Sequence, residues 1–277
     1  MDSIGGLVET IADIRKLPEL GDETIHIWGV HVPDVLGRLD ALHAVLSAAE
    51  QEKAARFHRE ADRQSSMAAR GALRVLLSGY TGISASKVEF NYSENGKPFL
   101  VPPAPSPYRR HPAGSTSVPP ASSRLPAGQG RQDACDTVSF NVSHSGDWVV
   151  LAFGRNRNIG VDVEKIKWEM DVESIASRYF APAEIALIAN AEDRHSIFFQ
   201  LWARKEAYVK ACGSALFREL GSFSVPLNGG ELPETGEKDG WIFQRLEAGS
   251  KYAAAVVTDQ KLASVPCYDF GGLIWDS

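Results

Sequence analysis

Asp162 and Glu164 alternate with Val161 and Val163 in the run Gly160-Val-Asp-Val-Glu164. Side chains alternate faces along a strand, so both carboxylates point one way and both valines the other. Two acids on one face repel each other. The arrangement is tolerated at a solvated edge, and it becomes favourable when a hard cation such as Mg²⁺ shares their oxygens with a phosphate. In Trp202-Ala-Arg-Lys-Glu206-Ala-Tyr-Val-Lys210, the residues Trp202, Glu206 and Lys210 stand one turn apart on one helix face. A Glu–Lys pair at that spacing is ordinarily a surface ion pair worth about 0.3–0.5 kcal/mol. A third oxygen ligand beside a cation for a phosphate has the same spacing. Phe140-Asn-Val-Ser-His-Ser145 places two hydroxyls and an imidazole at the end of a β-rich run, where small donors suit a phosphate or a solvated polar turn. Gly96-Lys97-Pro98 is a turn carrying a lysine.

These groups need elements to hold them. Residues 25–32 read as a strand bounded by Asp22 and Pro33. Ser47 and Glu50 form a capping-box signature, and apolar residues recur at helical spacing through 48–57 and 67–77 until Thr81-Gly82 stops the pattern. Residues 88–92 alternate like a strand and run into the turn 93–96. The β-rich runs 139–143, 148–153 and 159–164, separated by two good turns, predict an antiparallel meander. Helices are expected over 172–180, 182–190 and 194–212, with Pro182 in a first turn and Gly213 as a stop. On the last of these, Arg204 and Lys205 fall away from the Glu206 face, one of them snorkelling from the core. Strands follow at 241–246 and 252–257. This order is α+β, without the steady β-α alternation of a nucleotide-binding parallel sheet.

The 277 residues carry 29 Lys+Arg against 35 Asp+Glu, a net charge of −6, which gives no support for a nucleic-acid or membrane partner. Three widely spaced cysteines, Cys135, Cys212 and Cys267, make neither a disulfide framework nor a CxxC pair, and point to a reducing cytoplasm. The opening residues lack the basic-then-apolar order of a signal peptide, and charged residues interrupt every apolar run, so a soluble, unexported protein is expected. Residues 102–131 hold eight of the fifteen prolines, four arginines and no acid, a composition expected to be disordered or loosely extended. The Gly-x-Ser-x-Gly elbow and the P-loop are absent, and His58-Arg59-Glu60 lacks the paired cysteines of a zinc deaminase.

Taken in order, Gly96-Lys-Pro98, Phe140 to Ser145, Gly160 to Glu164 and Trp202-x-x-Lys-Glu-Ala-x-x-Lys210 resemble the surfactin-type 4′-phosphopantetheinyl transferases. Ser47 to Phe57 looks like that family's first helix. The resemblance implies an α+β fold of two similar subdomains related by a pseudo-twofold, each a small antiparallel sheet packed with helices. The halves would be about 1–155, including an insertion at about 102–136, and 156–277. It implies transfer of the 4′-phosphopantetheine arm of coenzyme A to a serine of an acyl or peptidyl carrier protein, with release of 3′,5′-ADP. A cytoplasmic monomer is expected. The resemblance also implies Asp162, Glu164 and Glu206 as Mg²⁺ ligands, Glu206 as general base and Lys210 at the pyrophosphate. Ser143 and His144 resemble residues that hold coenzyme A phosphates, Lys97 and its flanking backbone resemble the part that lies along the adenine, and Lys53 and Ser66 resemble the N-terminal contacts to the 3′-phosphate. Arg70 is a further candidate for a phosphate contact. Glu50 stands where a basic residue is often found. A coenzyme A or nucleotide-binding module without catalysis and a Mg²⁺-dependent phosphohydrolase are the alternatives. Because residues 102–136 cannot build a core, replacing them with a short Gly/Ser linker is expected to leave thermal unfolding and coenzyme A binding nearly unchanged. A drop of many degrees in the melting temperature overturns that reading.

Overall fold

Val149, Leu151 and Phe153 on one face of a strand and Trp148, Val150 and Ala152 on the other require cover on both sides. The structure, a computed structural model, describes residues 8–10, 13–101, 137–213 and 220–273. The Pro-rich stretch 102–136, with Cys135, lies outside the described residues.

The first sheet has the order β1 (Val8–Thr10), β11 (Cys267–Asp269), β2 (His26–His31), β6 (Trp148–Arg155) and β5 (Val138–Ser145). Strand β11 runs parallel to both neighbours, whereas β2–β6 and β6–β5 are antiparallel. The second sheet is antiparallel throughout, in the order β7 (Ile159–Lys165), β10 (Tyr252–Thr258), β9 (Trp241–Leu246) and β8 (Thr235–Lys238). A small antiparallel pair joins β3 (Phe90–Tyr92) to β4 (Pro98–Leu100). Helices α1 (Leu39–Ala44), α2 (Ala48–Ala55) and α3 (Glu60–Thr81) belong to the first half of the chain. Helices α4 (Val172–Tyr179), α5 (Pro182–Asn190) and α6 (Arg194–Cys212) belong to the second.

Three apolar clusters give the layer order. Leu73, Leu76 and Leu77 of α3 pack with Trp28, Leu151 and Phe153 of the first sheet. The opposite face of that sheet, through Ile27, Val150 and Ala152, meets Val161, Val163, Ala254 and Val256 of the second. Ala253, Ala255 and Val257 then pack on Ala203, Ala207 and Ala211 of α6. The result is helix, sheet, sheet, helix. Local signals set the helix ends. Ser47 and Glu50 close a capping box on α2, and Gly82, at φ +72°, ends α3 with its N–H donating to the Ser78 carbonyl.

The three β-rich runs do not form one meander. Strands β5 and β6 are a hairpin, but β7 leaves for the second sheet and pairs with β10. Its Ile159, Val161 and Val163 enter the core between the sheets, while Gly160 lies against α6. A Cβ on Gly160 would stand 1.9 Å from the Ala207 carbonyl oxygen and 2.4 Å from the Ala211 nitrogen. The helix backbone rests directly on the strand because this residue has no side chain.

Neither Arg204 nor Lys205 snorkels, since both are buried along α6. The Lys205 ammonium lies 2.9 Å from Glu184 and donates to the Leu220 and Phe223 carbonyls at 2.7 and 2.6 Å. Glu184 in turn accepts the Ala181 and Val225 N–H groups, both at 2.8 Å. Every ammonium hydrogen has an acceptor, the condition under which a buried pair is tolerated. The pair fastens the start of α5 and the segment 220–225 to α6.

Gly160→Ala is expected to cost at least about 2 kcal/mol in urea unfolding, because a rigid backbone and not a flexible side chain occupies the space. A parent-like midpoint would show that α6 can move away from β7.

Candidate active site

Among the described residues, strand β7 has a strand neighbour on one side only. Side chains close its other edge, whose peptide groups would otherwise be left unpaired in the interior. Alternate residues of β5 reach across to it. Asn141 Oδ1 accepts the Val161 N–H at 2.9 Å, and Ser143 Oγ donates to Asp162 Oδ1 at 2.7 Å. Ser145 Oγ accepts the Lys165 N–H at 3.0 Å and donates to Glu164 Oε2 at 3.1 Å. Two lysines cover carbonyls along the same strand. Lys97 Nζ donates to Ile159 O at 3.1 Å and to Ala211 O at 3.2 Å, and Lys210 Nζ donates to Val161 O at 3.2 Å.

The carboxylates of β7 and α6 meet here. Lys210 Nζ lies 2.6 Å from Asp162 Oδ1 and 2.8 Å from Ser143 Oγ, so Lys210 pairs across to β7 and not with Glu206 along its own helix. Asp162 is buried, and its Oδ2 has no partner among the described residues. Burial pushes its carboxyl up against the pull of Lys210. Glu164 is pushed up to about 7, first by burial and then by the charge of Asp162. Glu206 is likewise pushed up to about 7 by burial, with Asp162 and then Glu164 adding repulsion and Lys210 opposing them. Among the described residues no three His, Cys, Asp or Glu side chains are gathered at metal-ligand spacing. The donor set still suits a hard divalent cation, because the buried Asp162 Oδ2 lacks a partner among the described residues and burial, with the charge of Asp162, pushes the two neighbouring carboxyls up.

Beside this cluster is a cavity of about 760 Å³ between α2, α3 and the β5–β6 turn. Lys53, Ser66, Arg70 and His144 line it together, as expected of one binding surface. Burial and the Lys210 ammonium lower the His144 pKa from its ordinary value. Lys97 does not line the cavity, its ammonium being taken by the two carbonyls above, but its neighbour Pro98 does. Arg70 is held by Glu50 at 3.2 Å and lies over the Phe90 ring at 5.0 Å, and Glu50 also holds Arg74 at 2.7 Å. Sequence reasoning missed Ser65, which lines the cavity with a buried hydroxyl lacking a partner among the described residues, as well as Asn141. It read the Ser145 hydroxyl as a donor for a phosphate, whereas the structure sets it on Glu164 and the Lys165 N–H. The polar residues at every second position of β5 were a usable signal for Asn141; nothing marked Ser65.

Hard oxygen donors and a lysine, beside a cavity where Lys53, Arg70 and His144 stand among apolar residues, have the chemistry of an enzyme that handles phosphate groups. The profile of the 4′-phosphopantetheinyl transferase superfamily matches residues 158–257, and that of the 4′-phosphopantetheinyl transferase N-terminal region matches residues 36–112. The chain is 30% identical over 243 residues to the 4′-phosphopantetheinyl transferase HetI of a Nostoc species, covering 87% of this chain and 90% of that relative. It is 28% identical over 206 residues to the 4′-phosphopantetheinyl transferase Sfp of Bacillus subtilis, covering 73% of this chain and 76% of that relative. Over 91 residues, 32% of this chain and 38% of the relative, it is 42% identical to the 4′-phosphopantetheinyl transferase psf-1 of Bacillus pumilus. The chain belongs to the 4′-phosphopantetheinyl transferase superfamily and is an enzyme of that kind. Among the described residues no helix is long and apolar enough to cross a membrane.

The Glu206 carboxyl has a folded value of about 7, above its ordinary 4.5, so the fold favours the neutral form. That contribution to stability is fully present below about pH 4.5 and is lost as the pH rises through about 7. In the presence of a chelator, the melting temperature of the parent should fall between about pH 5 and pH 8 relative to Glu206→Gln, which has no proton to lose. Parallel curves for the two proteins remove the shift.

Proposed function

We propose that the protein is a surfactin-type enzyme that moves the 4′-phosphopantetheine arm of coenzyme A to a serine of an apo acyl or peptidyl carrier protein, with Mg²⁺, releasing 3′,5′-ADP. The observation that carries this reading is the convergence of Asp162, Glu164, Glu206 and Lys210 at the free edge of β7, next to the cavity lined by Lys53, Ser66, Arg70 and His144. In this reading the halves 1–155 and 156–277 are similar units related by a pseudo-twofold, apart from β11 of the second half, which lies in the sheet of the first. Each sets one long helix, α3 or α6, on the outer face of a sheet. Cysteine usage favours a cytoplasmic protein, and we read it as a monomer.

The serine hydroxyl oxygen attacks the β-phosphorus of coenzyme A. Its proton passes to Glu206, the bond from phosphorus to the bridging oxygen breaks, and 3′,5′-ADP leaves with the electron pair. A carboxylate held near neutral pH by its surroundings is well matched to that proton transfer. Asp162, Glu164 and Glu206 would hold Mg²⁺, which when bound supplies positive charge for the pyrophosphate oxygens. Lys210 gives the second positive charge at the leaving group. Lys53, Ser66, Arg70, Ser143 and His144 fix the coenzyme, and Lys97 contributes through the turn it anchors. Much of the rate comes from holding the hydroxyl and phosphorus in line.

Incubation with coenzyme A, Mg²⁺ and several apo-carrier proteins, followed by intact-mass measurement, tests the reading. A carrier heavier by the phosphopantetheine arm supports it. Cleavage of coenzyme A without an acceptor indicates a phosphohydrolase, and binding without any product indicates a non-catalytic module. Asp162→Ala is expected to abolish Mg²⁺-dependent transfer with the fold intact, whereas full activity of that variant, or of the parent in EDTA, removes the metal assignment. Glu206→Gln keeps the size and one oxygen, so kcat should fall about 100-fold or more while coenzyme A still binds. Comparable turnover by the variant and the parent on the same carrier defeats the base assignment.

A further inference from the structure

We propose that Ser145 is a positioning residue that sets the Glu164 carboxylate for its cation, an inference that rests on the reading of Glu164 as a Mg²⁺ ligand. The Ser145 hydroxyl has little freedom of its own. The residue sits at the closed end of the β5–β6 hairpin, paired with Trp148, and its oxygen is fixed by the Lys165 N–H at 3.0 Å. Its single hydrogen goes to Glu164 Oε2 at 3.1 Å.

Glu164 needs such a holder. It stands near the end of β7, half-buried, on a side chain with three rotatable bonds, and ordering it costs side-chain entropy unless something fixes the carboxylate. The hydroxyl engages one oxygen, and Oε1 has no partner among the described residues. Two residues earlier on β5 the same relation recurs. Ser143 donates to Asp162 Oδ1, and Asp162 Oδ2 is left buried without a partner among the described residues. Each strand carboxylate is therefore held by one oxygen from a β5 serine, with its second oxygen left over. Hydrogen-bond partners of this kind orient metal ligands, and losing one typically weakens metal affinity about 10- to 100-fold. Ser143 also touches Lys210, so its replacement would disturb two functions at once. Ser145 contacts neither Lys210 nor the cavity, which makes it the cleaner probe.

The test uses the full chain with coenzyme A and a carrier protein that the parent modifies. Mn²⁺ binding to the coenzyme A complex is followed by calorimetry, and the Mg²⁺ concentration for half-maximal transfer is measured beside it. In Ser145→Ala the Mn²⁺ dissociation constant and the half-maximal Mg²⁺ should both rise about 10-fold or more, and excess Mg²⁺ should recover most of the turnover. Ser145→Thr, which keeps the hydroxyl, should stay near the parent. Unchanged metal affinity in Ser145→Ala, or lost turnover that Mg²⁺ does not restore, overturns the proposal. Should the alanine variant not fold, Ser145→Cys takes its place, and equal metal affinity in the Cys and Thr variants counts against the proposal. A parent that binds no Mn²⁺ and transfers in EDTA sinks the metal reading itself. A metal-dependent parent with an indifferent Ser145→Ala sinks only this inference.

Discussion

The architecture turns on the unpaired edge of β7. A strand edge inside a protein must give its N–H and C=O groups partners, and among the described residues no further strand continues the second sheet beyond β7. Asn141 and Ser145 from β5, Lys97 from the turn before β4, and Lys210 from α6 serve instead. The edge can be approached in this way because Gly160 lets the α6 backbone rest on the strand, which brings Lys210 within reach. The same side chains that satisfy the backbone surround Asp162 and Glu164. Structural closure and the candidate site are one arrangement.

Helix α6 shows how the surroundings of a lysine decide its role. Lys205 and Lys210 are five residues apart, and each pairs with a carboxylate. Lys205 and Glu184 form a closed set, with both oxygens and all three ammonium hydrogens engaged and both side chains at 0% exposure. Nothing remains there for a ligand. Lys210 and Asp162 form an open set, since one Asp162 oxygen is unmet and two further carboxyls crowd it. An interior charge that lacks its full complement of partners is unfavourable, and binding of a cation relieves it.

The cavity carries a more even charge than an anionic ligand would favour. Lys53 and Arg70 line it together with Glu50, Asp62 and Asp147. Glu50 has three structural duties, capping α2 and holding Arg70 and Arg74, so its carboxylate is committed to the wall. Arg70 is thereby held against Phe90 and not free to swing. The Lys53 ammonium has no ion pair or hydrogen bond among the described residues and is the lining cation most available to a phosphate.

Patterns of short range were legible in the amino-acid order. The helices 172–180, 182–190 and 194–212, the Ser47–Glu50 cap, the Gly82 stop and the opposed faces of Val161 and Asp162 all follow from caps, breakers and periodicity within a few residues. So did the motif set that brought Asp162, Glu164, Glu206 and Lys210 into view. What only the tertiary structure decided depends on residues far apart in the chain. Strand β11 enters the first sheet between β1 and β2, with Cys267 opposite Val8 and Ile27 from the other end of the chain, and β7 abandons the hairpin beside it for β10. Lys205 and Lys210 carry the same charge on one helix, and helical spacing puts them on different faces without telling which of them ends in a closed, buried pair. Their difference lies in Glu184 on one side and in Ser143 and Asp162 on the other. Ser145 acquires its relation to Glu164 only when the two edge strands meet, because a hydroxyl bond needs its acceptor within about 3 Å and chain order carries no distances.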